Sequence, residues 1–201
     1  MNGYSLRFAL VWLVSVGVGC TSAPVRYYTL TPPPDKASSA SETTLAIDVR
    51  VVHIPPQLNR LELMIRTGPT EVTLLENERW ASPLNDEIKD ALRLELQRRL
   101  SRVSESRPAF TKLTLDIDVK HLEAQLGRHA LLEATWSATW SATGQQSHGA
   151  QVTSCSFQSD EKIRTSYAGM VEGYQREIAA LADAIAGVLM SPARSMDAAC
   201  H

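Results

Sequence analysis

The sequence predicts a single α+β domain over residues 45–190, an antiparallel or mixed sheet packed against two principal helices. Runs that alternate apolar and polar residues occur between 45 and 75 and again between 113 and 158, as half-buried strands require. Two other stretches, near 83–100 and 171–190, instead repeat apolar residues at helical spacing. Closely spaced strands that can form hairpins argue against a parallel dinucleotide-binding sheet.

The chain is organised around Trp80-Ala81-Ser82-Pro83-Leu84 and the helix it opens. Leu84, Ile88, Leu92, Leu96 and Leu100 recur every four residues with Ala91 beside them, an apolar stripe suited to burial against a sheet. Ser82 is expected to cap the first turn, and Pro83 sits where a missing N–H costs nothing. Asp86 and Glu87 lie near the positive helix end, and Arg98, Arg99 and Arg102 near the negative one. Trp80 is a large anchor for the incoming chain. Nothing in this stretch has catalytic geometry, so Trp80, Pro83, Leu84, Ile88, Leu92 and Leu96 are read as structural anchors.

Met1–Cys20 reads as an export signal, with residues 1–19 as the leader. Arg7 and the amino terminus supply positive charge, and Phe8–Val18 is an almost unbroken apolar run, shorter than the roughly 20 residues a permanent span needs. Gly19 directly before Cys20 resembles the bacterial lipoprotein signal, in which that cysteine is acylated and becomes the mature first residue. Gly17 departs from the larger apolar residue usual in that pattern. An ordinary leader with an incidental cysteine and an uncleaved anchor are the alternatives. Thr21 and Ser22 lack the aspartate of inner-membrane retention, so the resemblance favours the periplasmic face of the outer membrane.

Residues 20–44 are expected as a lipidated N-terminus and tether. Within them Val25–Leu30 is strand-like and its tyrosine pair is able to dock, whereas Pro32-Pro33-Pro34 and the polar residues after it have little reason to pack. Leu45, Ile47, Val49 and Val51 alternate as a strand that ends at Pro55-Pro56. Leu61, Leu63 and Ile65 form the next, Gly68-Pro69 a turn, and Val72–Leu75 a third, short strand.

After the first helix, Leu113, Leu115, Ile117 and Val119 alternate, and the phase then shifts to Leu122, Ala124 and Leu126, which predicts a bulge near His121. Gly127-Arg128 is expected as a two-residue turn with glycine first. Leu132, Ala134, Trp136, Ala138 and Trp140 line one face of the returning strand, alternating large and small, a surface for helix packing. Gln151–Gln158 is a further strand. Tyr174, Ile178, Leu181, Ile185, Val188 and Leu189 form the second helical stripe, and Pro192 closes it, leaving residues 191–201 as a flexible tail.

A formal charge of -2, or -3 once Arg7 leaves with the leader, gives no cationic excess for nucleic acid. The five histidines form no HExxH pattern, and neither Cys-x-x-Cys nor Gly-x-Ser-x-Gly occurs, so no metal, cofactor or catalytic residue is assigned. Asp116 and Asp118 share a strand face with Thr114 and Lys120, which reads as a solvated face and not as an acid/base pair. With Cys20 acylated, Cys155 and Cys200 are the two remaining thiols. An oxidising periplasm permits their disulfide, and two unpaired thiols are the alternative.

The signal ending in Cys20, Tyr27-Tyr28-Thr29-Leu30, the strand before Pro55-Pro56, the Trp80–Leu84 motif with its helix, the hairpin carrying Trp136 and the Tyr174 helix together resemble the ABC-type transport auxiliary lipoproteins of the paraquat-inducible protein C type. Pro55-Pro56-Gln57-Leu58 lacks that family's usual aromatic, and Arg128-His129 replaces its acidic-glycine turn. The resemblance implies a non-enzymatic periplasmic accessory that docks or anchors an envelope assembly at the outer membrane. Its implied partners are a mammalian-cell-entry (MCE) domain protein, indirectly that protein's permease and ATPase, and outer-membrane lipid through Cys20. A homo-oligomeric ring or collar is compatible with such a role. No Walker lysine motif and no series of membrane spans is present in the sequence. A periplasmic lipid-binding carrier, which needs a continuous apolar cavity, is the alternative.

Overall fold

The alternating runs and helical stripes become seven strands and two helices in the computed structural model, which describes residues 23–33, 46–106, 110–142, 152–190 and Cys200. In chain order these are β1 (Arg26–Tyr28), β2 (Ala46–His53), β3 (Glu62–Arg66), β4 (Val72–Trp80), α1 (Leu84–Ser106), β5 (Phe110–Gln125), β6 (His129–Ala142), β7 (Val152–Lys162) and α2 (Tyr167–Met190). One sheet has the order β1-β4-β3 and the other β2-β5-β6-β7. Both are mixed: β1 runs parallel to β4 and β2 parallel to β5, while the other neighbours are antiparallel. This is the α+β architecture the patterning requires.

The helices cover one face of the larger sheet, α1 over β2, α2 over β6 and β7, and each packs on the other. Leu92, Leu96 and Leu100 of α1 are fully buried, with Leu84 and Ile88 nearly so. Burying a leucine of this kind contributes roughly 1.5–3 kcal/mol relative to leaving it in water. Leu113, Leu115 and Ile117 of β5 and Ala134, Trp136 and Ala138 of β6 complete the interior. Trp140 pairs with Leu113 along the strand, but its side chain lies outside the described residues. The phase change in β5 is a bulge between Val119 and His121, so Leu122 and Ala124 return to the buried face.

Several boundaries differ from the sequence expectations. Strand β4 continues through the charged residues 76–79 to Trp80, because Glu78 and Trp80 alternate inward while Asn77 faces solvent. Pro83, not Ser82, is the N-cap of α1: its carbonyl accepts the Asp86 and Glu87 amides at 2.8 and 3.1 Å. The Ser82 hydroxyl donates instead to Glu87 Oε1 at 2.8 Å. Helix α1 runs on to Ser106, so Arg98 and Arg99 are not at its end, and its last turn holds no basic residue. Arg99 reaches sideways to α2, donating to both carboxylate oxygens of Asp183, at 2.5 and 2.9 Å, and to the Ala179 carbonyl at 3.1 Å.

The β5–β6 turn is centred one residue earlier than expected. Arg128 N donates to Gln125 O at 3.0 Å, which makes Gly127 the second central residue, with φ at 74°. Helix α2 starts at Tyr167, ahead of the expected Val171, because Ser166 is its N-cap: the hydroxyl accepts the Gly169 amide at 3.0 Å. Gly173 then lets α2 approach β6 and the chain after β7. A Cβ there would meet Ile163 Cγ2 at 2.3 Å and Ala130 Cβ at 3.3 Å.

Candidate functional site

Two buried glutamates, Glu78 unremarked in the sequence and Glu87 read there only as a helix-end charge, fasten the N-terminal segment to strand β4 and to helix α1 respectively. Glu78, 5% exposed, accepts the Tyr28 hydroxyl at 2.7 Å and the Arg26 guanidinium, whose Nε lies at 2.9 and 3.0 Å from its two oxygens. Burial by itself pushes the Glu78 carboxyl up, but hydrogen bonds from Arg26 and Tyr28 and the Arg26 charge outweigh it and hold the carboxyl below its usual value. Arg26 also lies over the Tyr167 ring at 5.9 Å, which ties β1 to the start of α2.

Glu87, in the first turn of α1, is 4% exposed and has four donors. The Thr29 hydroxyl and Leu30 amide reach Oε2 at 2.7 and 2.8 Å, and the Ser82 hydroxyl and amide reach Oε1 at 2.8 and 3.0 Å. Its charge sits at the positive helix end, where the dipole also favours it. Gln175 of α2 donates to the Thr29 carbonyl at 3.1 Å, and Leu30 is buried in the core. Trp80, read from the sequence as an anchor, is 3% exposed, and its ring lies 6.2 Å from that of Tyr174 in α2. The strand-like piece expected at Val25–Leu30 therefore docks as β1, and Leu30 fills the core beyond it. With each of their oxygens hydrogen-bonded, these carboxylates hold elements together.

Other charged groups pair across and along the strands. Arg50 of β2 meets Asp116 of β5 at 2.7 Å, and Lys120 meets Asp118 on β5 itself. Arg66 of β3 pairs with Glu123 of β5, which joins the two sheets, and His121 lies 3.4 Å from the same carboxylate. Among the described residues no group of three or more His, Cys, Asp or Glu side chains is placed to hold a metal ion. Among the described residues three side chains keep a buried oxygen without a hydrogen-bond partner of good geometry: Asn85 and Asp118 through one oxygen each, and Glu177 of α2, fully buried, through both. Burial pushes the Glu177 carboxyl up to about 7, with Ser159 and the Glu161 amide close enough to oppose part of that shift and the Glu161 and Asp160 charges adding to it.

Cys155 on β7 and Cys200 are joined as a disulfide, their Cα atoms 5.0 Å apart. Cys200 thus returns from the segment expected as a flexible tail to the edge strand of the larger sheet. Cys20 lies outside the described residues. A groove of about 850 Å³ lies along β5–β7, open to solvent and lined by polar Lys120, Glu133, Thr135, Ser156 and Gln158 together with Ala134, Phe157, Cys155 and Cys200. Among the described residues no helix is long and apolar enough to cross a membrane.

Two helices on mixed sheets, with one buried carboxylate clamping an N-terminal strand to its sheet neighbour and another holding the residues after it to α1, define a small α+β module built to hold its leading segment in place. The model of the ABC-type transport auxiliary lipoprotein component family matches residues 28–186, and the chain belongs to that family. No curated protein matches it. Its fold is similar to that in a crystal structure of an uncharacterized protein, at 19% identity and a TM-score of 0.62, covering 83% of this chain and 99% of that one. It is also similar to protein XCC0632 from Xanthomonas campestris, of the family DUF330, at 16% identity and a TM-score of 0.50, covering 81% and 93%.

Proposed function

We propose that the protein is an outer-membrane lipoprotein of the periplasmic face, acylated at Cys20, that docks or anchors an MCE-type lipid-trafficking or ABC-type transport assembly. The observation that carries this reading is the family match across residues 28–186, which reaches from β1 into α2. The signal-like run ending in Gly19-Cys20 supplies the anchor, and Thr21-Ser22 favour the outer membrane. The protein is not an enzyme in this reading: its charged groups are spent on joining elements, and ATP hydrolysis belongs to the partner machinery. A continuous buried core between sheet and helices, and a groove that is open to solvent and of mixed lining, support docking over the carrier alternative, which needs an enclosed apolar cavity.

The test is cross-linking in intact envelopes followed by purification of the lipidated protein. Capture of an MCE-domain protein is expected. Exposed-loop variants such as Gln57→Ala or Arg128→Ala that stay folded but lose the partner would locate the contact. Failure to capture any MCE component, together with lipid co-purifying in an internal cavity, would replace this reading with the carrier.

A further inference from the structure

The smaller sheet presents an outer face of exposed apolar side chains interspersed with Glu62, Arg66 and Arg79, on the side from which the chain enters the domain. Partners in register point to the same side of a sheet. Tyr27 is in register with Arg79, and Met64 with Leu74 and Arg66 with Val72. These side chains face away from the core, which takes Leu63, Ile65, Glu78 and Trp80 from the same strands. Tyr27 is 66% exposed, Val72 50% and Leu74 39%, with Val25 and Leu61 also exposed at the ends of β1 and β3. Exposed large apolar side chains gathered on one sheet face mark a contact surface.

The chain itself points to what covers it. Cys20 precedes Tyr27 by seven residues, a reach of about 25 Å even when fully extended. Because β1 is parallel to β4, the chain before β1 arrives from the end of β4 that carries Val72 and Leu74. An acyl group on Cys20 therefore keeps this face close to the bilayer. Its composition suits a headgroup boundary: a tyrosine ring with a polar tip, aliphatic side chains, and Arg60 and Arg79, both within 3.7 Å of Glu62, as long chains able to lay their stems on apolar surface.

We propose that the outer face of the β1–β4–β3 sheet rests on the membrane that holds the acylated Cys20, with Tyr27, Val72 and Leu74 entering the boundary between headgroups and acyl chains. The domain is then held by its sheet as well as by its lipid, and its orientation on the membrane is set. This rests on the lipid attachment at Cys20 proposed above.

The test uses the full mature protein purified from envelopes and reconstituted in phosphatidylethanolamine–phosphatidylglycerol vesicles. Intact mass first reports whether Cys20 carries acyl chains; a chain without them removes both the anchor and this proposal. With acylation established, hydroxyl-radical labelling of Tyr27, Met64 and Leu74 is expected to fall several-fold from detergent to vesicles. Met190 serves as the exposed reference, since sixteen residues of α2, about 24 Å of helix, separate it from Tyr174 at the Trp80 contact. A Val72→Trp variant should be quenched by brominated acyl chains several-fold more than a Ser156→Trp variant on β7. Equal labelling changes and equal quenching at the two places would overturn the membrane contact while leaving the lipid anchor intact. So would a cross-link from Leu74 to a second copy or to another protein in place of lipid.

Discussion

Glu87 Oε2 accepts the backbone amide of Leu30 at 2.8 Å, across 57 residues of sequence. That bond and its companions from Thr29 and Ser82 join the segment after β1, the entry to α1 and the helix itself at one carboxylate. Removing the acceptor strands a buried backbone donor, which costs about 1–3 kcal/mol for each group left unsatisfied. Glu87→Ala should therefore lower the urea midpoint strongly. Glu87→Gln, which keeps one carbonyl acceptor, should lie between it and the wild type.

Opposing titrations should give the domain a stability maximum in mildly acidic solution. The Glu78 and Glu123 carboxyls are held low in the folded state. For Glu78, partner hydrogen bonds outweigh burial; for Glu123, the Arg66 hydrogen bond is the largest cause. Their stabilisation is present above the unfolded value and is lost as pH falls through the folded one. Glu177 is raised to about 7 by burial, so its contribution is complete below the unfolded value of 4.5 and is lost as pH rises through 7. Thermal midpoints measured from pH 3 to pH 9 should peak near the unfolded carboxyl value of 4.5 and decline from there until about pH 7. Glu177→Gln should abolish the decline on the alkaline side and leave the acid side unchanged.

The Cys155–Cys200 link closes a loop of 45 residues that contains all of α2. Constraining a loop of that length in the unfolded chain is worth about 3–4 kcal/mol in the chain-entropy model. Cys200→Ser should lower the unfolding midpoint accordingly. Non-reducing peptide mapping of envelope-purified protein should recover a linked Cys155/Cys200 peptide, and its absence would remove the predicted loss.

Leu92 has no solvent exposure, whereas Lys89, on the same helix, is exposed. Leu92→Ala should cost about 2–5 kcal/mol through lost burial and the cavity left behind. Lys89→Ala should stay within about 0.5 kcal/mol. Denaturant unfolding of the pair separates the helix's packing face from its wet face. Partner capture should fall with Leu92→Ala only in step with the loss of folded protein.

The α1 stripe, the alternation of β5 and β6 with its bulge, and the α+β class were legible in the sequence because each follows from periodicity within one element. Leu84 to Leu100 repeat at a spacing that only a helix places on one face, and no distant residue is needed to read it. The same local logic failed at Glu76–Arg79 and at Ser82. Charged residues read as solvent-facing until a partner is known, and although Ser82 is close to Glu87, the other partners of Glu78 and Glu87, among them Arg26, Tyr28 and Thr29, lie more than 45 residues earlier in the chain. The start of α2 was hidden by Gly169, a poor helix former, although Ser166 before Tyr167 carried the capping signal. Tertiary structure alone decided that β1 lies parallel to β4, that Cys200 reaches Cys155, and that Tyr27, Val72 and Leu74 share a part of the molecule with the entering chain. Periodicity reports whether a residue turns inward. Which carboxylate a distant arginine will neutralise, and which strand edge a short segment will take, depends on free energies that exist only once the sheets and helices have closed on one another.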